Sequence, residues 1–122
     1  MAAQAAMEGA MHDFYISELI ARAAAAVFAA GALLNLAGLG FVRRAYARWG
    51  YPPKFYRVVG VLELTVAAFL ALPLTRIWGV ALGEFIVFAA VVTLLKNRQY
   101  AQTIPGIILL IALVPAVVAG PL

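Results

Sequence analysis

The sequence has no cysteine and a single histidine, His12, in 122 residues. The first absence excludes disulfides, thiolate metal sites, cysteine nucleophiles and thiol relays within the chain. The second excludes the common multi-histidine metal sites, and His12 lies outside every long apolar stretch, so no axial haem ligand is expected from a span. Charge is scarce too: 11% of residues are charged, against about 25% in an ordinary globular domain. No glycine-rich nucleotide loop, zinc signature or hydrolase triad is visible. These absences leave the cofactor question open and predict no metal site.

What remains is apolar. Hydrophobic residues make up 66% of the chain. A soluble domain of this length buries only part of its surface and could not hide that much. Lipid is the solvent that makes such a composition stable, and the lipid bilayer is the first expected partner. The net charge of +4 comes from basic residues grouped between apolar runs. That pattern reads as a topology signal facing anionic headgroups, and no nucleic-acid partner is expected.

A helix crosses the hydrocarbon core with about 20 apolar residues. Four stretches meet that demand, at about 16–42, 58–74, 77–95 and 104–120. The predicted fold is therefore all-α, an integral membrane four-helix transmembrane bundle, with one domain over 16–122. The lengths argue against strands, which run about 3–10 residues. Pro73 marks the end of the second span. Pro105 fits the first turn of the fourth, where its missing N–H costs nothing, and Pro115 is expected to kink it. Residues 1–15, rich in Ala and Met, read as an interfacial or flexible segment. They carry Glu8 and Asp13 but no Lys or Arg, so they lack the basic leading region of a secretory signal, and the first span is expected to be retained.

Arg43, Arg44, Arg48, Lys54 and Arg57 lie between spans one and two, and Lys96 and Arg98 between spans three and four. Only Arg22 and Arg76 belong to the other side. The positive-inside rule then predicts a multi-pass protein of the cell (inner) membrane, with both basic loops in the cytoplasm and both termini outside.

Ionisable groups inside a bilayer are costly and usually face a protein interior, a cavity or a partner. Glu63 and Glu84 are the two clear cases and the candidate catalytic residues. Counted from the turn near Thr75, their depths differ by about 4–5 Å, so adjacent antiparallel spans can bring them together. Two such carboxyls suit proton relay, acid/base chemistry or cation binding. The structural alternative is that each is hydrogen-bonded to a neighbouring helix and holds the bundle together. Glu18 and Arg22 have the i, i+4 spacing of a helical ion pair at the outer interface, and a sharper expectation has Arg22 reaching inward to Glu84. Gly31 and Asn35 form a small–polar pair in span one, Gly79 and Gly83 a small-xxx-small pair in span three; both spacings favour close helix contact. The segment from Tyr46 to Arg57, with Trp49, Tyr51, Phe55 and Tyr56, reads as an interfacial anchor that Pro52-Pro53 turns back toward the membrane.

Residues 41–95 resemble the DoxX-like membrane proteins. The resemblance rests on Trp49-Gly50-Tyr51-Pro52 leading into Arg57-Val58-Val59-Gly60-Val61-Leu62-Glu63-Leu64, with its Gly60…Glu63 spacing, and on the turn Leu74-Thr75-Arg76 before a helix rich in small residues. Span one, with Phe28 and Gly31, is similar as well. Relatives often carry a lysine shortly after the glycine that corresponds to Gly31; here the first polar residue is Asn35, so no lysine role carries over. The resemblance implies a four-helix membrane bundle with a glutamate in its second helix. It implies little about activity, and the sequence as a whole is compatible with three functions: an accessory subunit of a membrane complex, redox- or quinone-linked; a small enzyme acting on a lipophilic substrate such as a quinone or isoprenoid, with Glu63 as acid/base; and a proton-coupled small transporter. The first ranks highest on the sequence, and it predicts a membrane-protein partner or a homo-oligomer.

Overall fold

The computed structural model describes residues 1–116. Among them the chain is all-α, with helices α1 (Ala2–Ala37), α2 (Gly40–Arg48), α3 (Phe55–Ala71), α4 (Arg76–Lys96) and α5 (Ile104–Ala116). Short 3-10 turns over Pro73–Thr75 and Tyr100–Thr103 lead into α4 and α5. Helix α1 packs on α3 and α5, and α4 packs on the same two, so these four helices close a ring. The core inside it comes from Ala21, Ala24 and Phe28 of α1, Val66, Ala67 and Leu70 of α3, Val80, Val87 and Val91 of α4, and Leu113 of α5. Most of these side chains are small, which lets the helix axes approach closely.

The helices differ from the predicted spans most at the two ends of α1, and α3 lies three residues earlier than its predicted span. Helix α1 begins at Ala2, because Ala, Met and Glu are strong helix formers and one glycine does not interrupt them. Its side chains are exposed through Ile16, so residues 1–15 are an extension of the helix beyond the core. At the other end the predicted span reaches residue 42, but the helix stops at Ala37. Gly38 takes the left-handed conformation, φ 61° and ψ 39°, and its N–H bonds to the Asn35 carbonyl. A residue without Cβ adopts that conformation freely, and it ends helices for that reason. The chain then turns into α2, whose Val42 is buried while Arg43, Arg44 and Arg48 are exposed.

A tight loop joins α2 to α3. Gly50 has φ +86°, Pro52 and Pro53 follow, and Lys54 is left-handed at φ 66° immediately before α3. Pro73 ends α3, and Pro105 lies in the first turn of α5. The predicted fourth span runs to residue 120, so its last residues lie outside those described.

Among the described residues, two segments are long and apolar enough to cross a membrane, Ala2–Ala37 with mean hydropathy 1.8 and Pro73–Lys96 with 2.1; Tyr100–Pro115 is a shorter apolar helix. Large apolar side chains are common on the outside, among them Leu33, Trp78, Phe85, Phe88 and Ile111. Water would penalise that surface and lipid does not.

Candidate functional site

Helix α3 presents Glu63 to α1 at a place where α1 has no side chain. A Cβ on Gly31 would collide with the Glu63 carboxyl, so glycine is what admits the acid. One turn later, Asn35 uses its amide nitrogen twice. It donates to the carbonyl of Gly31 at 3.1 Å and to Glu63 Oε1. Glu63 Oε2 accepts no hydrogen bond among the described residues. Gly60, one turn before Glu63 on α3, lies against Leu36 and Asn35 of α1, so the two helices stay close along this stretch.

The third member comes from α2. Tyr46 donates its hydroxyl to Asn35 Oδ1 at 2.8 Å. Burial, reinforced by the nearby Glu63 and Tyr51, holds the Tyr46 phenol well above its ordinary pKa, so it remains a donor at neutral pH. The reversal at Gly38 is what brings Tyr46 back over Asn35. Around Tyr46 stand Trp49, Tyr51, Phe55 and Tyr56, with ring centroids 5.3–6.4 Å from its own. Tyr51 and Phe55 stack at 4.9 Å. Trp49 donates to Gln99 at 2.8 Å and Tyr51 hydrogen-bonds Thr93, so the aromatic cluster is tied to α4 and the turn after it.

Glu63, Asn35, Gly31 and Tyr46 line a cavity of about 550 Å³ that also touches α4 and α5. Ligand pockets typically measure about 300–1,000 Å³ and combine apolar walls with a few convergent polar groups. This one has that composition. A carboxyl, an amide and a phenol are a hydrogen-bonding and proton-exchanging set rather than a metal-ligand set. No cluster of three or more His, Cys, Asp or Glu that could hold a metal occurs among the described residues.

Glu84 does not join Glu63. Its Oε1 is buried without a hydrogen-bond partner among the described residues, while Glu63 is engaged with Asn35. Equal depth predicts that the two carboxyls meet, and no hydrogen bond between them occurs among the described residues. Gly83, beside Glu84, meets Phe28, Val66 and Leu113, and Gly79 meets Phe69 and Leu70.

The opposite end carries a second polar group. Arg22 donates to Glu18 at 3.1 Å and is 72% exposed, so it forms the helical pair and does not reach Glu84. The partner that does reach inward is Arg76, whose side chain is 0% exposed. Its guanidinium donates to Glu18 Oε2 at 2.6 Å and Oε1 at 3.3 Å, and to the carbonyls of Leu70 at 2.7 Å and Ala71 at 3.3 Å. It therefore binds the last carbonyls of α3 while fixing α1 through Glu18. From the sequence, Arg76 counts only toward the charge balance between the two sides and the turn shared with the DoxX-like proteins, with no interior partner expected. The available signal was one arginine between two apolar helices, facing the only acid of span one. Tyr46 was read as an anchor, since its contact with Asn35 needs the unpredicted break at Gly38.

Comparison with curated proteins and with solved structures gave no match. The sequence profile of the DoxX-like family matches residues 19–116, which include Glu18's neighbour Leu19, all of α2 to α5, and Asn35, Tyr46 and Glu63. The family and the long apolar helices together mark a membrane protein. The chain belongs to the DoxX-like family.

Proposed function

We propose that this is a four-helix integral membrane protein of the inner membrane whose Glu63 cavity binds a lipophilic molecule with a hydrogen-bonding head, a quinone or an isoprenoid, and exchanges a proton with it. In this reading α1, α3, α4 and α5 cross the bilayer. The 17 residues of α3 span about 26 Å, near the lower limit for a core of about 30 Å. The basic residues of α2, of the loop after it and of the α4–α5 turn then face the cytoplasm, with the N-terminus outside.

The observation that carries the reading is the cavity beside Glu63. Eight residues from the start of α3, the carboxyl lies about 12 Å inside that helix, a costly place for an acid that only packs. Asn35 and Tyr46 fix one face of it. Its second oxygen supplies the acid or base, and the apolar walls suit a ligand arriving from lipid. An accessory subunit would need a distinct partner surface, and lipid already accounts for the exposed apolar side chains. A transporter of the small multidrug kind uses a glutamate deep in span one, whereas Glu18 lies near the end of that span and is held by two guanidiniums.

Mass spectrometry of lipids co-purifying with the protein tests this. Wild-type protein is expected to retain a quinone or isoprenoid in near-stoichiometric amount, and Glu63→Gln to lose most of it while eluting normally from a sizing column. Equal retention by both proteins contradicts the reading.

A further inference from the structure

The cavity at Glu63 does not end at its apolar wall. A groove of about 670 Å³ runs between α1, α4 and α5, walled by residues such as Ile20, Ala23, Gly106 and Ala112. Val27, Val87, Ala90, Gln102 and Leu109 line both spaces. Four of these residues lie on three helices and Gln102 on the turn before α5, which makes the two spaces one continuous recess with a polar end and an apolar end.

Its course follows from the helix register. On α1 the groove occupies Ile20 to Val27, and the cavity continues from Val27 to Asn35. At about 1.5 Å per residue, that path is about 22 Å long, a large part of the core of about 30 Å. On α1 it leads toward the end held by Glu18, whereas on α4 it reaches Leu94 and on α5 Pro105, close to the basic turn between those helices, so the groove crosses the ring obliquely. Gly106 lets α5 lie close against α4 at the wall of the recess, because a Cβ there would meet Val91 at 2.8 Å. Ala23 and Ile108, on α1 and α5, are exposed, so the groove opens sideways toward lipid between these two helices.

We infer that the groove holds the tail of the molecule whose head is bound at Glu63, which makes the ligand class a head group carrying one long acyl or prenyl chain. The inference rests on the proposed head site and adds the tail's position and route. The head lies at Glu63, about 12 Å along α3, and the chain lies in the groove between α1, α4 and α5. Entry between α1 and α5 requires neither end of the ring to open. Lipid tails are as apolar as the groove wall, so the groove selects by shape and packing rather than by hydrophobicity.

The test uses two probes in proteoliposomes, a short-tailed benzoquinone and a benzoquinone whose long alkyl tail ends in a diazirine. Irradiation is expected to place tail adducts on Ile20, Ala23 and Ala112. Ala23→Phe and Ala112→Phe are expected to remove those adducts and leave binding of the short-tailed probe within twofold of wild type. Binding of that probe also shows that the variants fold. Adducts scattered over Leu33, Trp78 and Ile111 at the level of free partition overturn the groove alone, provided the short-tailed probe still binds in a Glu63-dependent way. A wild type that binds neither probe overturns the head site and the groove together.

Discussion

Arg76 illustrates what a single residue does when lipid replaces water outside the fold. A guanidinium with no exposure needs a charge partner and filled donors, and Glu18 supplies the charge. Glu18→Gln removes the carboxylate from a fully buried cation, a change that costs about 3–5 kcal/mol in comparable buried pairs. Arg22→Ala removes only the exposed partner of the same carboxylate, worth at most about 1 kcal/mol. Thermal unfolding in detergent is expected to separate them clearly, with Glu18→Gln far below wild type and Arg22→Ala close to it. Similar melting of the two variants would mean that Arg76 does not depend on Glu18. Arg76→Lys is not conservative here, since an ammonium cannot reach two carboxylate oxygens and two carbonyls from one planar group. At this scale the sequence was partly legible. Glu63 stood out because an acid within an apolar run must be explained. Gly31 and Asn35 stood out by spacing. Tyr46 and Arg76 did not, because their roles depend on turns that place them beside helices distant in sequence.

At the scale of elements, small residues set the distance between helices. A Cβ on Gly79 would lie 2.9 Å from the backbone nitrogen of Leu70. Backbone cannot move aside as a flexible side chain can, so Gly79→Ala must push α4 from α3. The expected cost is about 1–3 kcal/mol. Gly9 has nothing within 4 Å of such a Cβ, on the exposed extension of α1. Gly9→Ala is therefore expected to leave the melting temperature unchanged, and circular dichroism to show at least as much helix. If both substitutions melt alike, the α3–α4 contact is looser than its geometry implies. The positions of α3, α4 and α5 were readable from hydropathy and proline. The end of α1 was not: Gly38, Leu39, Gly40 and Phe41 are as apolar as the helix before them, and hydropathy carries the span straight through. The left-handed turn at Gly38 is a backbone event, announced only by a glycine among others.

The whole molecule inverts the arrangement of a water-soluble domain. Its core is mostly small aliphatic side chains, its exterior carries large apolar ones, and its polar interactions gather in two groups, one around Glu18 and Arg76 and one around Glu63. The Glu18–Arg76 end is filled and serves to hold α1, α3 and α4 together. The Glu63 group has a cavity beside it, and that difference is why the proposed function is placed there. Trp49 lines the cavity, whereas Trp78, the other tryptophan of the chain, is 68% exposed on α4. Quinones quench indole fluorescence at close range, so a Trp78→Phe background reports the cavity alone. Titration of that protein with a short-tailed benzoquinone is predicted to give saturable quenching of Trp49, abolished by Glu63→Gln; quenching that rises without saturation and is the same in both proteins would contradict a binding site at Glu63.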